Sequence, residues 1–452
     1  MDVVVVGTGY VGLTTGLALA HLGHRVKCVD KNEEIVERLK QGIPTIFEAG
    51  LKELLNETGR DILFTSDLAG CLDAADVVMI AVGTPAKENG DTDLRYVEAV
   101  AREIGEALAP GQQLVVVNKS TVPVGTARRV ETVINEKLGE RGVKCAISVA
   151  SNPEFLREGT ALHDTFFPDR IVIGADDLHA VNLLRQMYTP ILEQSFLPPR
   201  YIRRPEGYAL PVLITTSPTS AELTKYAANA FLATKVSFIN EFSGLAEKVG
   251  ADISEVARGI GLDKRIGTSF LKAGVGWGGS CFPKDTLSIL CTGRQYGYEM
   301  PLVEAAVEVN RRQRKIVIKK LQEAIKVIRG STIGLMGLSF KPNTDDIRES
   351  PAIMVIGDLL ELGAAVKVYD PVAMENYRRT FPGQKVYYAP SIDEVACHAD
   401  ALVLLTEWEE FLHLPWQSLG EKMQSRVIID GRNMLPKEEL QAAGFTYMGV
   451  GR

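Results

Sequence analysis

The first thirty residues, MDVVVVGTGYVGLTTGLALAHLGHRVKCVD (residues 1–30), decide the fold. An apolar run at Val3–Val6 predicts a buried β-strand. A glycine turn in GxGxxG spacing follows it, formed by Gly7, Gly9 and Gly12. The stretch Leu13–Leu22 then predicts a helix, and RVKCVD, which ends at Asp30, predicts a second strand. Strand, glycine turn, helix, strand and acid in this order predict the start of an open parallel sheet of the Rossmann type.

Each part of this unit has a physical role in binding a dinucleotide. The first glycine allows a tight turn, the second lets a pyrophosphate approach the backbone, and the third lets the helix lie close to the sheet. The N-terminus of the helix offers free N–H groups to the phosphates. Asp30 can accept hydrogen bonds from both ribose hydroxyls, which favours NAD over NADP. The sequence therefore predicts NAD as a cofactor.

Polar side chains follow the later strands of the same half. Three further apolar runs predict buried strands: Ala75–Val82, Leu114–Lys119 and Ala146–Ala150. Ligands of open parallel sheets bind beyond the carboxyl ends of the strands, where Thr84 and Thr121 lie. For each threonine taken alone, a simple turn hydroxyl is the slightly favoured interpretation. The third strand leads into SNPEFLREG, whose acids are Glu154 and Glu158, and a solvated surface charge is the alternative for Glu158.

The middle of the chain has helical periodicity. Apolar residues recur at helical spacing over Ala221–Val249, and Lys225 and Asn229 share one face because they are four residues apart. The surrounding run YAANAF is too apolar for an ordinary solvated lysine. A second long helix, rich in Arg and Lys, is predicted from Pro301 to about Arg329 as a connector.

The C-terminal part repeats the strand and helix alternation. Four apolar runs predict strands: Thr332–Leu338, Ala364–Pro371, Ala399–Leu405 and Val427–Asp430. The first enters a glycine turn, but a complete GxGxxG is absent, so a different nucleotide-bearing ligand would fit this half. The predicted fold class is α/β, with two Rossmann-like doubly wound domains joined by a helical central domain with a long connecting helix. The predicted boundaries are 1–205, 215–300, 301–330 for the connecting helix, and 331–452.

Composition excludes several classes of protein. The chain has 452 residues, of which 46% are hydrophobic, and no run approaches the length of a transmembrane span. The net charge of −7 is spread over mixed signs, which argues against a nucleic-acid-binding protein. No signal peptide is visible and the six cysteines are scattered without metal-ligand spacing, so free thiols, no metal site and a cytoplasmic location are expected.

One cysteine differs from the others in its setting. Cys281 lies in GVGWGGSCFPKD, where Gly276, Gly278 and Gly279 are expected to clear space around Cys281 for a ligand and to allow backbone conformations that other residues resist. Pro283 predicts a helix start directly after the cysteine, and helix N-terminal N–H groups favour a reactive thiolate. With an NAD site, such a thiol suggests a dehydrogenase that traps an aldehyde as a thiohemiacetal and passes through a thioester.

These motifs together resemble a known family. GTGYVG, KSTVPVG, SNPEFLREGTA, SAELTKYAANAFLATKVSFINE, KRIGTSFLKAGVGWGGSCFPKD, FKPNTDDIRES and IIDGRN, in this order over nearly the whole chain, are similar to the nucleotide-sugar dehydrogenases. The resemblance implies an NAD-binding domain, a helical domain that carries the contact of a homodimer or higher oligomer, and a UDP-binding domain. It also implies the oxidation of UDP-glucose to UDP-glucuronate in two hydride transfers.

The resemblance assigns roles to particular residues. Contacts with NAD are implied for Gly7, Gly9, Gly12, Asp30, Thr84, Thr121, Glu158 and Arg348. Cys281 is implied as the nucleophile, Asp285 and Lys225 as acid–base and oxyanion groups, Asn229 as a group that places an oxygen or water, Glu154 as the base for thioester hydrolysis, and Thr121 as a further catalytic residue. Substrate contacts are implied for Glu154, Lys225, Asn229, Arg265 (from a neighbouring subunit), Phe270, Lys272, Gly274, Gly278, Phe340, Lys341 and Arg432.

Three alternatives stay open at this point. The same chemistry on GDP-mannose or UDP-N-acetylmannosamine is the nearest, although FLKAGVGWGGSCFPKD favours the UDP-glucose branch. A two-electron dehydrogenase of the 6-phosphogluconate or hydroxyacyl type would have no use for Cys281. A non-catalytic nucleotide-sugar sensor would not need Cys281, Lys225 and Asp285 together. NADH formed per sugar consumed separates them: two for the family chemistry, one for the second and none for the sensor.

Overall fold

The computed structural model describes residues 1–452, which form two compact units. The first unit comprises Met1–Ala228 and Leu287–Tyr296, and the second comprises Asn229–Thr286 and Gly297–Arg452. The finer division predicted from the sequence stays a prediction. Among its helices, none combines the length and the apolar character that crossing a membrane requires.

The first unit contains an eight-stranded sheet. Its strands are β1 (Asp2–Val6), β2 (Arg25–Val29), β3 (Leu63–Thr65), β4 (Val77–Ile80), β5 (Gln113–Asn118), β6 (Ala146–Ser151), β7 (Arg170–Gly174) and β8 (Val212–Thr216). Their order is β3-β2-β1-β4-β5-β6-β7-β8. The first six are parallel in the order of a dinucleotide-binding sheet, and β7 joins β6 in the antiparallel sense. The predicted Rossmann-like half is confirmed.

Seven helices pack around this sheet. They are α1 (Tyr10–His21), α2 (Glu33–Lys40), α3 (Leu51–Thr58), α4 (Arg95–Ala107), α5 (Thr126–Glu140), α6 (Ala161–Phe166) and α7 (Leu178–Glu193). Helix α1 begins directly after Gly9, three residues earlier than the sequence predicted. Alternate residues of β1 face opposite cores: Val3 and Val5 lie in one buried cluster, and Val4 and Val6 in the other. The carboxyl ends of β1 and β4 thus form the switch point at which such sheets bind ligands.

The helical middle corrects one prediction. Its helices are α8 (Pro218–Val249), α9 (Ile253–Gly261), α10 (Phe282–Gln295), α11 (Pro301–Gln313) and α12 (Ile316–Ile325). The single connecting helix predicted over 301–330 is wrong, because the chain breaks between α11 and α12. The N–H of Lys315 bonds to the carbonyl of Arg312 at 3.1 Å, which tightens the turn. The guanidinium of Arg314 donates to the carbonyls of Trp277 and Glu349, which holds this break in place.

The second unit contains a six-stranded parallel sheet. Its strands are β9 (Thr332–Met336), β10 (Ala365–Tyr369), β11 (Val386–Tyr388), β12 (Ala401–Leu404), β13 (Val427–Asp430) and β14 (Thr446–Gly449), in the order β11-β10-β9-β12-β13-β14. Its helices are α13 (Pro351–Glu361), α14 (Met374–Thr380), α15 (Ile392–Ala396), α16 (Trp416–Lys422) and α17 (Lys437–Ala442). The strand order repeats that of β1–β6, so the second Rossmann-like fold is confirmed.

Candidate active site

The glycine turn of the first unit is shaped as a dinucleotide site requires. Gly7 has φ +96°, and a Cβ built there would lie 2.7 Å from the carbonyl oxygen of Ala81. A Cβ on Gly12 would lie 1.8 Å from the carbonyl oxygen of Gly7, so only glycine lets α1 begin this close to β1. A Cβ on Gly9 would meet nothing within 4 Å, so the backbone there is open to a phosphate group.

Asp30 is fixed at the end of β2 in the position expected for a ribose partner. One carboxylate oxygen accepts from the backbone N–H and the hydroxyl of Thr8, at 2.9 and 2.7 Å. The other accepts from the N–H of Asn32 at 3.0 Å. A carboxylate has about four acceptor sites, so this one keeps capacity for a further donor. The open glycine turn and this acid fit the pyrophosphate and ribose of NAD.

The two candidate threonines are joined by a hydrogen bond. Thr84 is buried, and its hydroxyl donates to the carbonyl of Thr121 at 2.9 Å. Thr121 is half-buried at the turn after β5. The bond ties the loop after β4 to the loop after β5, so the hydroxyl of Thr84 has a structural use at the predicted ligand-binding edge.

A buried ion pair forms the charged centre of the first unit. The ammonium of Lys225 lies 2.9 Å from a carboxylate oxygen of Glu154, with 5% and 7% of the two side chains exposed. The other oxygen of Glu154 accepts from the N–H of Leu156 at 2.7 Å. Glu158, at the end of the same loop, is also buried, so the surface-charge alternative for it is wrong. The structure thus brings together two predicted catalytic residues, one from the loop after β6 and one from α8.

A second buried acid lies in the other unit. Asp285 is 1% exposed, and its two carboxylate oxygens accept from the amide of Asn229 at 2.6 Å and the ammonium of Lys284 at 2.5 Å. Asn229 lies four residues after Lys225 on α8, so one helix face carries both side chains. The amide and the ammonium hold this carboxylate in a fixed orientation.

Cys281 is the residue that precedes the first turn of α10. Its carbonyl accepts the helical hydrogen bond from the N–H of Asp285 at 2.9 Å, and Pro283 lies in the first turn, as predicted. The thiol is half-buried, and its sulfur lies 3.5 Å from the hydroxyl of Ser280. The first N–H groups of a helix favour negative charge at this position, which suits a thiolate nucleophile.

The glycines before Cys281 correct a second expectation. A Cβ on Gly278 would lie 2.1 Å from the carbonyl oxygen of Glu349, and one on Gly279 would lie 2.6 Å from the ring of Phe340. The space beside these glycines is therefore filled by the loop after β9, and it is not cleared for a ligand. Gly276 and Gly279 also have φ of +97° and +86°, which side chains rarely adopt. The glycines serve close packing and turn geometry.

Buried polar side chains hold the same loop in shape. Asn310 accepts from the N–H of Trp277 at 2.8 Å and donates to its carbonyl at 3.0 Å. Asn240 accepts from the N–H of Gly274 at 2.9 Å. Arg432, which follows β13, donates to the carbonyl of Gly276 at 3.3 Å and to that of Phe340 at 3.1 Å. Arg432, which lies in IIDGRN, thus joins that motif to GVGWGGSCFPKD and to FKPNTDDIRES.

The remaining predicted residues of the second unit lie either just before the glycine-rich loop of Cys281 or in the loop after β9. Arg265 and Arg348 are exposed and pair with Asp263 at 2.6 Å and Asp346 at 2.7 Å. Lys272 is exposed, Phe270 is half-buried with φ +63°, and the ammonium of Lys341 lies 5.4 Å from the ring centroid of Phe340. Their contacts with substrate or cofactor stay predictions.

Sequence reasoning missed two buried charged residues of the first unit. Lys119 follows β5 and donates to the side-chain oxygen of Asn152 at 3.0 Å. Glu222 accepts from the N–H groups of Gly125 and Ala127 at 2.7 and 2.8 Å, so it caps α5. Burial raises the pKa of Glu222, and these hydrogen bonds oppose that rise. The sequence pattern that could have identified these two residues is a charged residue within an otherwise apolar run.

Gly278→Ala is expected to destabilise the second unit. The added Cβ would press on the carbonyl of Glu349, and relieving such overpacking costs about 1–3 kcal/mol of unfolding free energy. Urea unfolding monitored by tryptophan fluorescence would measure the change. Gly357→Ala on α13 is the matched control, because a Cβ there meets nothing within 4 Å. Equal stability of the two variants would contradict the packing role.

Comparison with known proteins places this geometry in a family. Models of the UDP-glucose/GDP-mannose dehydrogenase family match the NAD-binding domain at residues 1–192, the central domain at 219–312 and the UDP-binding domain at 334–437. A UDP-glucose 6-dehydrogenase of Rhizobium meliloti is 47% identical over all of both chains. One of Bacillus subtilis is 43% identical, over all of this chain and 93% of that protein. The solved UDP-glucose dehydrogenase of Pyrobaculum islandicum is 40% identical with a TM-score of 0.88, over 99% of this chain and 97% of its own.

Proposed function

Because this chain belongs to the UDP-glucose/GDP-mannose dehydrogenase family, we propose that it oxidises UDP-glucose to UDP-glucuronate with NAD. The observation that carries the proposal is the half-buried Cys281 at the start of α10, in a chain that also holds a buried Lys225–Glu154 pair and an open dinucleotide turn. A thiol is needed only if oxidation continues beyond the aldehyde.

The proposed reaction uses the cysteine as a covalent carrier. Bound NAD supplies the hydride acceptor for both oxidation steps. The C6 alcohol loses a proton and a hydride to become an aldehyde, and the Cys281 thiolate adds to its carbonyl carbon to form a thiohemiacetal after protonation. Loss of a second hydride and the hydroxyl proton leaves a thioester. Water adds to the thioester with Glu154 accepting its proton, and the carbon–sulfur bond breaks to release the carboxylate and the thiolate. One water is consumed for each sugar.

Polar residues of both units supply charge and orientation for these steps. The buried ammonium of Lys225 stabilises the negative charge that develops on the sugar oxygen, and this interaction is stronger in a buried site than in water. Asp285, oriented by Asn229 and Lys284, serves as the second acid–base group. In the second unit, Lys341 and Arg432 carry positive charge suited to a diphosphate.

We also propose that the chain works as a cytoplasmic homodimer or larger homo-oligomer. Three phenylalanines of α8 are exposed: Phe231 at 65%, Phe238 at 45% and Phe242 at 41%. They are spaced seven and then four residues apart and so share one side of the helix. An exposed aromatic stripe of this kind is typical of an interface. Sedimentation velocity would measure the mass in solution.

The experiment that tests the proposed function is the NADH yield from a limiting, known amount of UDP-glucose with excess NAD. Two NADH per sugar are expected. One NADH would mean that oxidation stops at a carbonyl, and the thiol would need another explanation. If UDP-glucose gives none, GDP-mannose and UDP-N-acetylmannosamine are tested in the same assay, and no NADH from any of the three would contradict the enzymatic function.

Asp30→Asn is expected to raise the KM for NAD by about tenfold or more and to leave the KM for UDP-glucose within about twofold. The reason is the loss of a charged acceptor, since hydrogen bonds to charged groups contribute about 1.5–3 kcal/mol. Initial rates with each substrate varied in turn would measure both constants. Asp176→Asn, an exposed change before α7, is the control. An unchanged KM for NAD in the Asp30 variant would exclude Asp30 as a ribose partner.

A further inference from the structure

Lys119 is a buried cation that the proposed reaction does not use. It follows β5, where the strand ends, and 9% of the residue is exposed. Its ammonium makes one hydrogen bond, to the side-chain oxygen of Asn152 at 3.0 Å, and lies 5.8 Å from the ring centroid of Tyr188. Both partners are neutral. A buried ammonium without a directly bonded carboxylate is costly to the fold, so a role other than stability is indicated.

The partners of Lys119 are themselves fixed. The oxygen of Asn152 also accepts from the hydroxyl of Tyr188 at 2.6 Å, and the amide nitrogen of Asn152 donates to the carbonyl of Val172 at 2.8 Å. Asn152 begins the loop that carries Glu154 two residues later. Lys119 is therefore held by the same loop that presents the Glu154 side of the buried ion pair.

We infer that Lys119 is a positioning residue for the proposed oxidation: its buried ammonium fixes the Glu154 loop and adds positive charge to the Lys225–Glu154 pair. The inference rests on the proposed function for its chemical consequence. Glu154 neutralises one ammonium, so the second gives this cluster a net positive charge. Such a charge lowers the energy of negative charge that develops on the substrate during reaction.

The charge of Lys119 is sensitive to pH in the range where the enzyme would be assayed. Burial lowers the pKa of Lys119 to about 8, the carboxylate of Glu154 opposes this and the ammonium of Lys225 adds to it. These two groups and Tyr188 on α7 are the charged or titratable groups that face it. Burial raises the pKa of Tyr188, so its hydroxyl stays protonated. Lys119 is thus charged below about pH 8 and neutral above it.

The test compares Lys119→Met, Lys119→Arg and wild type in kcat and KM from pH 6.5 to about pH 9.5. The ratio of wild-type kcat to that of Lys119→Met is expected to be about tenfold or more at pH 7 and to fall toward one above pH 8. Both KM values should stay within about twofold, because the residue acts on the developing charge. The ratio of Lys119→Arg to wild type should rise with pH, since a guanidinium stays charged.

Thermal unfolding supplies a readout that does not depend on activity. The lowered pKa means that the unfolded chain binds more protons than the folded one between about pH 8 and about pH 10.4. Wild type should therefore gain stability relative to Lys119→Met as pH rises through this window. Lys144→Met, an exposed change, should show neither effect.

The outcomes separate this inference from the proposed function. A kcat ratio that does not change with pH, or equal activity of Lys119→Met at pH 7, would overturn the positioning role even if wild type makes two NADH per sugar. Wild type that makes no NADH from any nucleotide sugar would instead overturn the proposed function, and with it the chemical role of Lys119. If Lys119→Met does not fold, the pH dependence of the Lys119→Arg ratio decides.

Discussion

Cys281→Ser is expected to lower the rate of UDP-glucuronate formation by about 10³-fold or more, the scale of losing a covalent nucleophile. The hydroxyl of serine is a far weaker nucleophile than a thiolate, so trapping of the aldehyde would fail. The first oxidation does not need the thiol. The variant should therefore form at most one NADH per sugar and accumulate the aldehyde, which a carbonyl trap followed by mass spectrometry would detect.

Cys291→Ser is the matched control for this experiment. Cys291 lies on the same helix, α10, is also half-buried, and its thiol donates to the carbonyl of Asn89 at 3.3 Å, a bond that a serine can replace. It should retain nearly full activity. Full turnover by Cys281→Ser with two NADH per sugar would exclude the thioester pathway.

The sequence predicted the parallel sheets of both units because the sequence patterns that indicate them are local. The GxGxxG turn after β1 depends on the φ of +96° at Gly7 and on the close contact of Gly12 with the carbonyl of Gly7, both of which act within a dozen residues. The buried strands of parallel sheets are continuous apolar runs, so β4, β5 and β13 were visible. The short strands β3 and β11 carry only three residues each at sheet edges, and no run of that length stands out.

The errors arose where distant segments meet. The glycines before Cys281 were expected to clear a ligand space, but the loop that carries Phe340 and Glu349, about sixty to seventy residues later, packs there. The break after α11 depends on Arg314, whose acceptors are carbonyls of two other segments. Pairings such as Lys225 with Glu154 also join residues far apart in the chain. The residue types predicted catalytic or binding roles at Lys225 and Glu154. The ion pair between them could not be predicted, because it is formed only when the fold brings these distant segments together.

Lys225→Met is expected to lower kcat by about 10²–10³-fold, the scale of removing one oxyanion donor from a preorganised site. It should also destabilise the protein by about 3–5 kcal/mol, because Glu154 would be left as a buried carboxylate without its cation. Steady-state kinetics and denaturant unfolding would measure the two effects separately. A second variant is needed to separate the lower stability, which comes from the unpaired carboxylate of Glu154, from the lower kcat, which comes from the missing ammonium.

The double variant Lys225→Met, Glu154→Gln removes both charges of the pair. Its stability should recover most of the loss, because a neutral amide at residue 154 no longer needs a cation and can still accept the hydrogen bond from the N–H of Leu156. Its activity should not recover, because both the ammonium and the base for thioester hydrolysis are absent. If activity returned together with stability, the pair would be a structural element alone. If neither variant lost activity, the chemistry would depend on Asp285 and Cys281 without this pair.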